Sequence, residues 1–301
     1  MRKFIVSDLH GNGDIYDSIM AYLENISMSE EVELYINGDL IDRGLDSYRM
    51  LEDIVNRINN NDSIKIHYLG GNHELMMYNA LKKKKPGRPL TFLNEWIYNG
   101  GGIIESKLDS LDNEEDKINE YIEFLGNLEI YNLFDESIKN NPILLVHAQA
   151  PKRVLKKCNM KIADNNLYVY KAVWTRDRDE YHISHKLGKK GYLTIIGHTS
   201  VLENNGFIYN KKENYINIDG GCNPYARGYF HIDHVPVVEV FSDHLELLIW
   251  NHNNDIFNGY FFDGEFYRMD LVDLLTRKIY INHELDDNGE KTRELIKKIK
   301  G

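Results

Sequence analysis

The chain has 301 residues, 42% of them hydrophobic, enough for one large or two ordinary domains with a substantial core, which excludes disorder over most of its length. Acidic residues outnumber basic ones 47 to 36, so the net charge is −11, general binding to polyanions such as duplex DNA is not expected, and a phosphate-bearing ligand must be held locally. Two cysteines cannot build a disulfide framework, no apolar leader follows Met1, and no apolar run approaches the roughly 18 residues of a membrane span, so a soluble cytoplasmic protein is expected.

Residues 3–8 read as a short buried strand that ends at Asp8, after which Leu9-His10-Gly11-Asn12-Gly13 supplies turn chemistry. Asp14 is placed to cap a helix through Leu23 with apolar positions at Ile15, Ile19 and Leu23. The unit repeats: a strand over 33–37 ends in Gly38-Asp39, a loop runs to Gly44, and a helix covers 45–58. A third copy runs over 64–69, through Gly70-Gly71-Asn72-His73-Glu74, into a helix starting near Leu75. Strands alternating with helices predict a sheet built from βαβ units.

Residues 82–89 are basic and end in Pro-Gly-Arg-Pro, a solvated charged loop, with a contact to substrate phosphate as the alternative. Residues 92–134 are mostly helical in pattern, interrupted at Gly100-Gly101-Gly102. Strands return at 143–146, leading into His147, and at 193–196, leading into Gly197-His198. After Asp219-Gly220-Gly221 the texture becomes meander-like, with strands over 235–241 and 245–250 and a charged helix near 291–300. No repeat of solenoid period and no low-complexity segment is present.

The polar residues at the predicted strand ends are Asp8, His10, Asp39, Asn72, His147 and His198: carboxylates, imidazoles and an amide, with no thiolate. That set suits manganese, iron or zinc in a mixed oxygen and nitrogen shell rather than a structural cysteine-type site. One carboxylate shared between two ions would hold them about 3.5 to 4 Å apart, the spacing of two-metal hydrolases. Each residue alone is an ordinary cap or a hydrogen-bonded strand end. Together, each at the same end of its strand, they mark one site.

The segments SDLHG (7–11), GDLIDRG (38–44), GNHE (71–74), VHA (146–148) and GHT (197–199) resemble the signature of the calcineurin-like metallophosphoesterases, specifically the phosphoprotein phosphatase branch. The second and third segments are the most specific, and the similarity covers about residues 3–225. The fold it implies is α/β: a metallophosphoesterase-type β-sandwich flanked by helices. Residues 1–225 would form the catalytic domain, with a β-rich C-terminal extension over 226–301 packed on it.

Residue by residue, the resemblance implies a first metal held by Asp8, His10 and a bridging Asp39, and a second held by Asp39, Asn72, His147 and His198. His73 matches the general acid, Asp42 its carboxylate partner, and Arg43 a phosphate-binding arginine. Arg176, in Trp174-Thr175-Arg176, resembles the second arginine of the bacterial enzymes. The implied cofactors are two divalent ions, manganese first, with iron, zinc or nickel as alternatives. The implied reaction is hydrolysis of a phosphomonoester by a metal-bridging hydroxide, as in a bacterial-type serine/threonine protein phosphatase acting on a phosphorylated protein or a small phosphoester. Symmetrical hydrolysis of dinucleoside polyphosphates such as diadenosine tetraphosphate is the alternative, and a non-catalytic metal-binding regulatory module is the weakest reading.

The chemistry supports these roles in its own terms. Arginine's planar fork matches phosphate bidentately, and a histidine paired with an aspartate keeps one tautomer and a raised pKa, as a proton donor to a leaving alkoxide requires. Two departures stand out. Ser7 replaces the glycine usual before the first aspartate, and the fifth segment lacks the arginine of the eukaryotic protein phosphatases. Trp96 with Asn99-Gly100-Gly101 again resembles the bacterial enzymes. His231, Asp233 and His234 are read as surface or structural residues, Cys222 as a small buried one, and Asp219 as a neighbour of the site. His67, His182 and His185 attract no specific role.

Overall fold

A computed structural model describes residues 1–83, 91–150, 160–176, 186–201, 206–222, 234–250 and 256–269. β1 (Arg2–Val6), β2 (Val32–Asn37) and β3 (Ile64–Leu69) are parallel neighbours joined by α1 (Gly13–Ser27) and α2 (Ser47–Asn59), the βαβ arrangement the alternation predicts. β2 is buried at every position because both faces of the sheet are covered there, whereas the edge strand β3 leaves Lys65 exposed. The cap of α1 is Asn12 rather than Asp14. Asn12 Oδ1 accepts from Ile15 N–H at 3.5 Å, and Asp14 falls in the first turn, where its charge complements the helix dipole.

α3 (Asn72–Lys83) follows β3, and the segment expected to be helical as far as residue 134 is more divided. It forms α4 (Thr91–Trp96), a kinked turn (Ile97–Gly101) with Gly100 at φ 106, α5 (Gly102–Asp109) and α6 (Glu114–Asn127). It then changes to β4 (Tyr131–Ile138), which pairs antiparallel with β5 (Asn141–Val146). The hairpin turns at Lys139 and Asn140, both left-handed in backbone, a turn that matches the twist of the strands but lacks the usual glycine signal.

A 3-10 turn (Ile162–Asp164) and α7 (Leu167–Trp174) lead to β6 (Leu193–Ile196), β7 (Ile208–Asn210) and β8 (Tyr215–Asn217), giving a five-stranded sheet of order β4-β5-β6-β8-β7. β9 (Val235–Val240), β10 (Leu245–Trp250), β11 (Ile256–Phe262) and β12 (Phe266–Met269) then form the expected antiparallel meander. They join the first sheet, whose order is β12-β11-β10-β9-β1-β2-β3. β9 runs antiparallel to β1, with Lys3 opposite Val240, and Arg2 forks onto the buried Glu239 through bonds of 2.6 and 2.7 Å. The motifs end at residue 199 and the resemblance near residue 225, but the sheet that carries the first of them continues to β12. The expected terminal helix near 291–300 lies outside the described residues.

The two sheets close on an apolar layer in which Ile5, Tyr35 and Val238 meet Phe134, Ile143 and Ile195. Each such aliphatic side chain, fully buried, contributes about 1.5 to 3 kcal/mol before chain entropy is counted. Helices cover the outer face of the first sheet through residues such as Leu23, Ile54 and Met77, and α7 covers the second through Val169 and Val173. The result is the helix-flanked β-sandwich expected. Among the described residues no helix is long and apolar enough to cross a membrane.

Candidate metal centre

Just beyond the C-terminal ends of β1, β2, β3, β5 and β6 stand Asp8, Asp39, Asn72, His147 and His198, and His10 follows in the first loop. Strand carboxyl ends are where open α/β sheets place ligand-binding side chains. All six are at most 5% exposed, so water cannot solvate the two carboxylates, and cationic or hydrogen-bonding partners must. Asp8, His10, Asp39, Asp42, Arg43 and His198 all adopt left-handed backbone with φ between 45 and 71 degrees, a conformation costing about 1 kcal/mol or more each outside glycine. Gly38, at φ 77, has no such freedom to change, because a Cβ there would stand 2.7 Å from His147 Nδ1.

Two groups of donor atoms converge. His10, Asp39 and His73 form one, and Asp39, His147 and His198 the other, with the ligand atoms of each within 4.8 Å of one another. Asp39 belongs to both. Its Oδ1 lies 3.4 Å from His147 Nε2, and its Oδ2 lies 3.7 Å from His10 Nε2 and 3.8 Å from His73 Nε2.

The outward-facing bonds fix which ring nitrogens face the centre. His10 Nδ1–H donates to the Ile41 carbonyl at 3.2 Å, His147 Nδ1–H to Asn37 at 2.7 Å, and His198 Nε2–H to Trp174 at 3.1 Å. His198 Nδ1 and His147 Nε2 therefore both point at Asn72 Oδ1, at 2.8 and 3.1 Å. At His198 Nδ1 and Asn72 Oδ1 an acceptor faces an acceptor, which fits a cation between them. Burial lowers the pKa of His198 and of His10 well below the ordinary value, aided at His198 by His147 and Arg176 and at His10 by His73 and Arg43, so both are neutral, the ligating form. His147 is the exception. Burial opposes its charge, but Asp39 and Asp8 raise it to about 10, so a proton on Nε2 occupies the position a metal ion would take. Burial and the charge of Asp219 push the Asp8 carboxyl well up, a repulsion that a dication would relieve. The donor set thus fits divalent cations.

Asp8 belongs to neither convergent group. Ser7 Oγ–H donates to its Oδ2, and the His198 N–H donates to both its oxygens at 3.1 and 3.2 Å. Asp42 and His73 are both fully buried and bonded, His73 Nδ1–H donating to Asp42 Oδ2 at 2.7 Å. Burial works against a charged His73, but Asp39 and Asp42 outweigh it and raise its pKa. Arg43 donates Nη1 to His10 Nε2 at 2.9 Å, and its Nη2 stands 3.0 Å from His73 Nε2. Arg176 is exposed at the rim and donates Nη1 to the His198 carbonyl at 3.1 Å and to Thr199 Oγ1 at 3.3 Å. All ten residues singled out in the sequence stand in or beside one cluster.

Glu74 is the residue the sequence reading left without a role. Fully buried, it accepts from the backbone N–H of Asp39 at 2.9 Å, Leu40 at 3.2 Å and Gly71 at 2.8 Å, and from Tyr68 Oη–H at 2.7 Å. It therefore clamps the strained turn that presents Asp39 to the turn that presents Asn72. Its place three residues after Gly71, in the capping-box position, was the available signal. Glu74→Gln will turn an amide NH₂ toward backbone donors and should cost about 2 to 3 kcal/mol, the range for bonds to charged groups, read as a lower urea midpoint.

Asp219 lies beside the site as expected, 5% exposed and close enough to be the largest charge acting on Asp8. Cys222 is buried, and Asn12 Nδ2–H donates to its Sγ at 3.1 Å. His67 stacks on Tyr35 with centroids 4.4 Å apart. Lys82 Nζ donates to Tyr78 Oη at 2.8 Å, whereas Lys84 and Lys85, like His182, His185, His231 and Asp233, lie outside the described residues.

No curated protein matches the chain. Among solved structures, a protein serine/threonine phosphatase from Saccharomyces cerevisiae shares the fold with a TM-score of 0.50 at 14% identity, over 81% of this chain and 73% of that one. A cold-active protein-tyrosine phosphatase from a psychrophilic Shewanella species scores 0.46 at 14% identity, covering 89% of this chain and 80% of its own. A candidate diadenosine tetraphosphatase scores 0.47 at 15% identity, covering 82% and 93%. The family model described as calcineurin-like phosphoesterase matches residues 1–297, nearly the whole sequence. The chain belongs to the calcineurin-like phosphoesterases and is a metal-dependent phosphoester hydrolase.

Proposed function

We propose that the protein hydrolyses phosphomonoesters as a bacterial-type serine/threonine protein phosphatase with a two-metal centre. The observation that carries this reading is the Asp42–His73 pair, bonded at 2.7 Å and set against the two donor groups that share Asp39. Asp8, His10 and Asp39 would hold one ion, and Asp39, Asn72, His147 and His198 the other. When bound, such ions supply a water of lowered pKa and polarise the phosphoryl oxygens.

The chain's own residues do the rest. Arg43 and Arg176 bind the phosphoryl group through planar forks and stabilise the charge that accumulates on its equatorial oxygens. Arg43 exchanges its contacts with His10 and His73 for the phosphate. His73 delivers the proton from Nε2 to the leaving oxygen, while Asp42 holds Nδ1–H and so the tautomer and ring orientation. The raised pKa of His73 keeps that proton available near neutral pH.

One observation favours a second reading. Tyr170, 55% exposed, stacks on Trp174, which packs edge-on against His198, and such a platform beside a phosphate site suits a nucleobase. Hydrolysis of dinucleoside polyphosphates is therefore the competing activity. With Mn²⁺ the protein should release inorganic phosphate from p-nitrophenyl phosphate and from phosphoserine peptides. Failure with every divalent metal tried sinks the phosphomonoesterase reading, and chromatography of a diadenosine tetraphosphate digest yielding only the diphosphate supports the competitor.

A further inference from the structure

Trp96 takes no part in the reaction set out above, yet its one polar atom is committed to it. The side chain is fully buried at the end of α4, and its indole Nε1–H reaches both Asp42 oxygens, at 3.0 Å to Oδ1 and 2.9 Å to Oδ2. Asp42 Oδ2 also accepts His73 Nδ1–H at 2.7 Å. The carboxylate is therefore gripped between two donors, an indole on one side and an imidazole on the other. Indole is a donor only, so this contact has one possible polarity. The ring reaches Asp42 because the backbone of the kinked turn packs close against it, and a Cβ on Gly101 would stand 2.3 Å from the indole nitrogen. The same turn accepts the Arg43 N–H on the Gly100 carbonyl at 3.1 Å. One short segment thus holds two consecutive residues of the site, Asp42 by a side chain and Arg43 by a backbone bond.

We propose that Trp96 is a positioning residue for the leaving-group proton: its indole N–H fixes the Asp42 carboxylate so that Asp42 holds His73 with Nε2 facing the leaving oxygen. The inference rests on the reading of His73 as proton donor. As the phosphorus–oxygen bond to the leaving group breaks, the proton moves from His73 Nε2 to that oxygen, and His73 ends neutral, still donating Nδ1–H to Asp42. Without the indole, the carboxylate is free to rotate and the imidazole follows it. A leaving group that needs no proton would not register the change.

The test separates positioning from packing by leaving-group basicity. Trp96→Phe keeps a ring and removes the donor. Benzothienylalanine at the same position keeps the bicyclic shape with sulfur in place of N–H, and covers the case in which the phenylalanine variant fails to fold. For either, kcat on a phosphoserine peptide should fall about 10- to 100-fold, part of the 10²–10⁴ that general acid catalysis supplies, with KM within about two-fold. On the least basic aryl phosphate of a graded series the loss should stay within about three-fold. Combined with His73→Asn, the second substitution should add almost nothing, as residues acting as one unit do. Equal losses across the series, or losses that multiply with those of His73→Asn, overturn the proposal.

A second readout does not depend on turnover. The His73 Nδ1–H proton should give a low-field NMR resonance that shifts or vanishes in both Trp96 variants, and an unmoved resonance overturns the positioning role. Should the wild-type protein hydrolyse none of these substrates, the functional reading falls while this resonance still decides whether Trp96 controls the pair.

Discussion

Asparagine at position 39 will abolish turnover while leaving the fold in place. Asp39 is the one residue common to both donor groups, with Oδ1 toward His147 and Oδ2 toward His10 and His73. Asparagine preserves its volume and its backbone N–H to Glu74 but removes the charge and one of the two acceptor oxygens. In the proposed centre Asp39 would position both ions, so its loss should remove several kcal/mol of transition-state stabilisation. At about 4 kcal/mol the fall in kcat is about 10³-fold. Metal content by mass spectrometry should drop together with p-nitrophenyl phosphate hydrolysis. A variant that retains two ions and activity within about tenfold of wild type would remove Asp39 from the bridging position.

Loading with Mn²⁺ will release protons and stabilise the protein more as pH rises. His147 is held charged to about pH 10, chiefly by Asp39 and Asp8 against the cost of burial, whereas its ordinary value is about 6.5. Its folded pKa is raised, so the stability it gives the metal-free protein is complete below the unfolded value and disappears as pH climbs through about 10. A cation at Nε2 must displace that proton. Calorimetric titrations at pH 7 in buffers of different ionisation enthalpy should therefore report about one proton released per chain. Asp219 adds to the effect at lower pH. Burial, opposed by the Gly221 N–H and reinforced by Asp39, raises it to about 6, so metal-free stability falls as pH rises from about 4 to 6.

The melting-temperature difference between Mn²⁺ and chelator should accordingly widen from pH 5 to pH 8. An ion at 100 times its Kd contributes about 2.7 kcal/mol, a shift on the order of 5 °C for a chain of this size. Buffer-independent heats, or a difference that does not change with pH, would contradict the assignment of these residues to a cation.

Much of this was legible in the sequence where the chain is locally consistent. β3 occupies the residues expected, and β1 and β2 differ by one or two, because each is a short apolar-rich run and a turn containing glycine marks its stop. The same turns carry Asp8, Asp39 and Asn72, so the site was legible with them. Pairing was not. Nothing in the period of residues 235–240 names β1 as their neighbour, and nothing local distinguishes β4 from the helix before it until β5 is there to pair with it. Contacts made through one atom over a long separation were equally hidden. The Trp96 bond spans 54 residues to Asp42, and of the Glu74 bonds only the local one to Gly71 had a signal, while those to the Asp39 and Leu40 amides had none.

The position of β1 between β2 and β9 has a consequence for how the protein is made. On the ribosome, every candidate ligand has been synthesised once residue 198 is joined, yet one side of β1 still lacks its hydrogen-bonding neighbour. Only when Val235–Val240 emerges does β1 become an interior strand, locked by the Arg2 fork on Glu239. Until then the strand that leads to Asp8 and His10 is an open edge, and open edges pair with whatever strand is available. The candidate centre is thus encoded early and completed late, and a nascent or truncated chain that stops short of β9 carries Asp8 and His10 at the end of an unprotected edge strand.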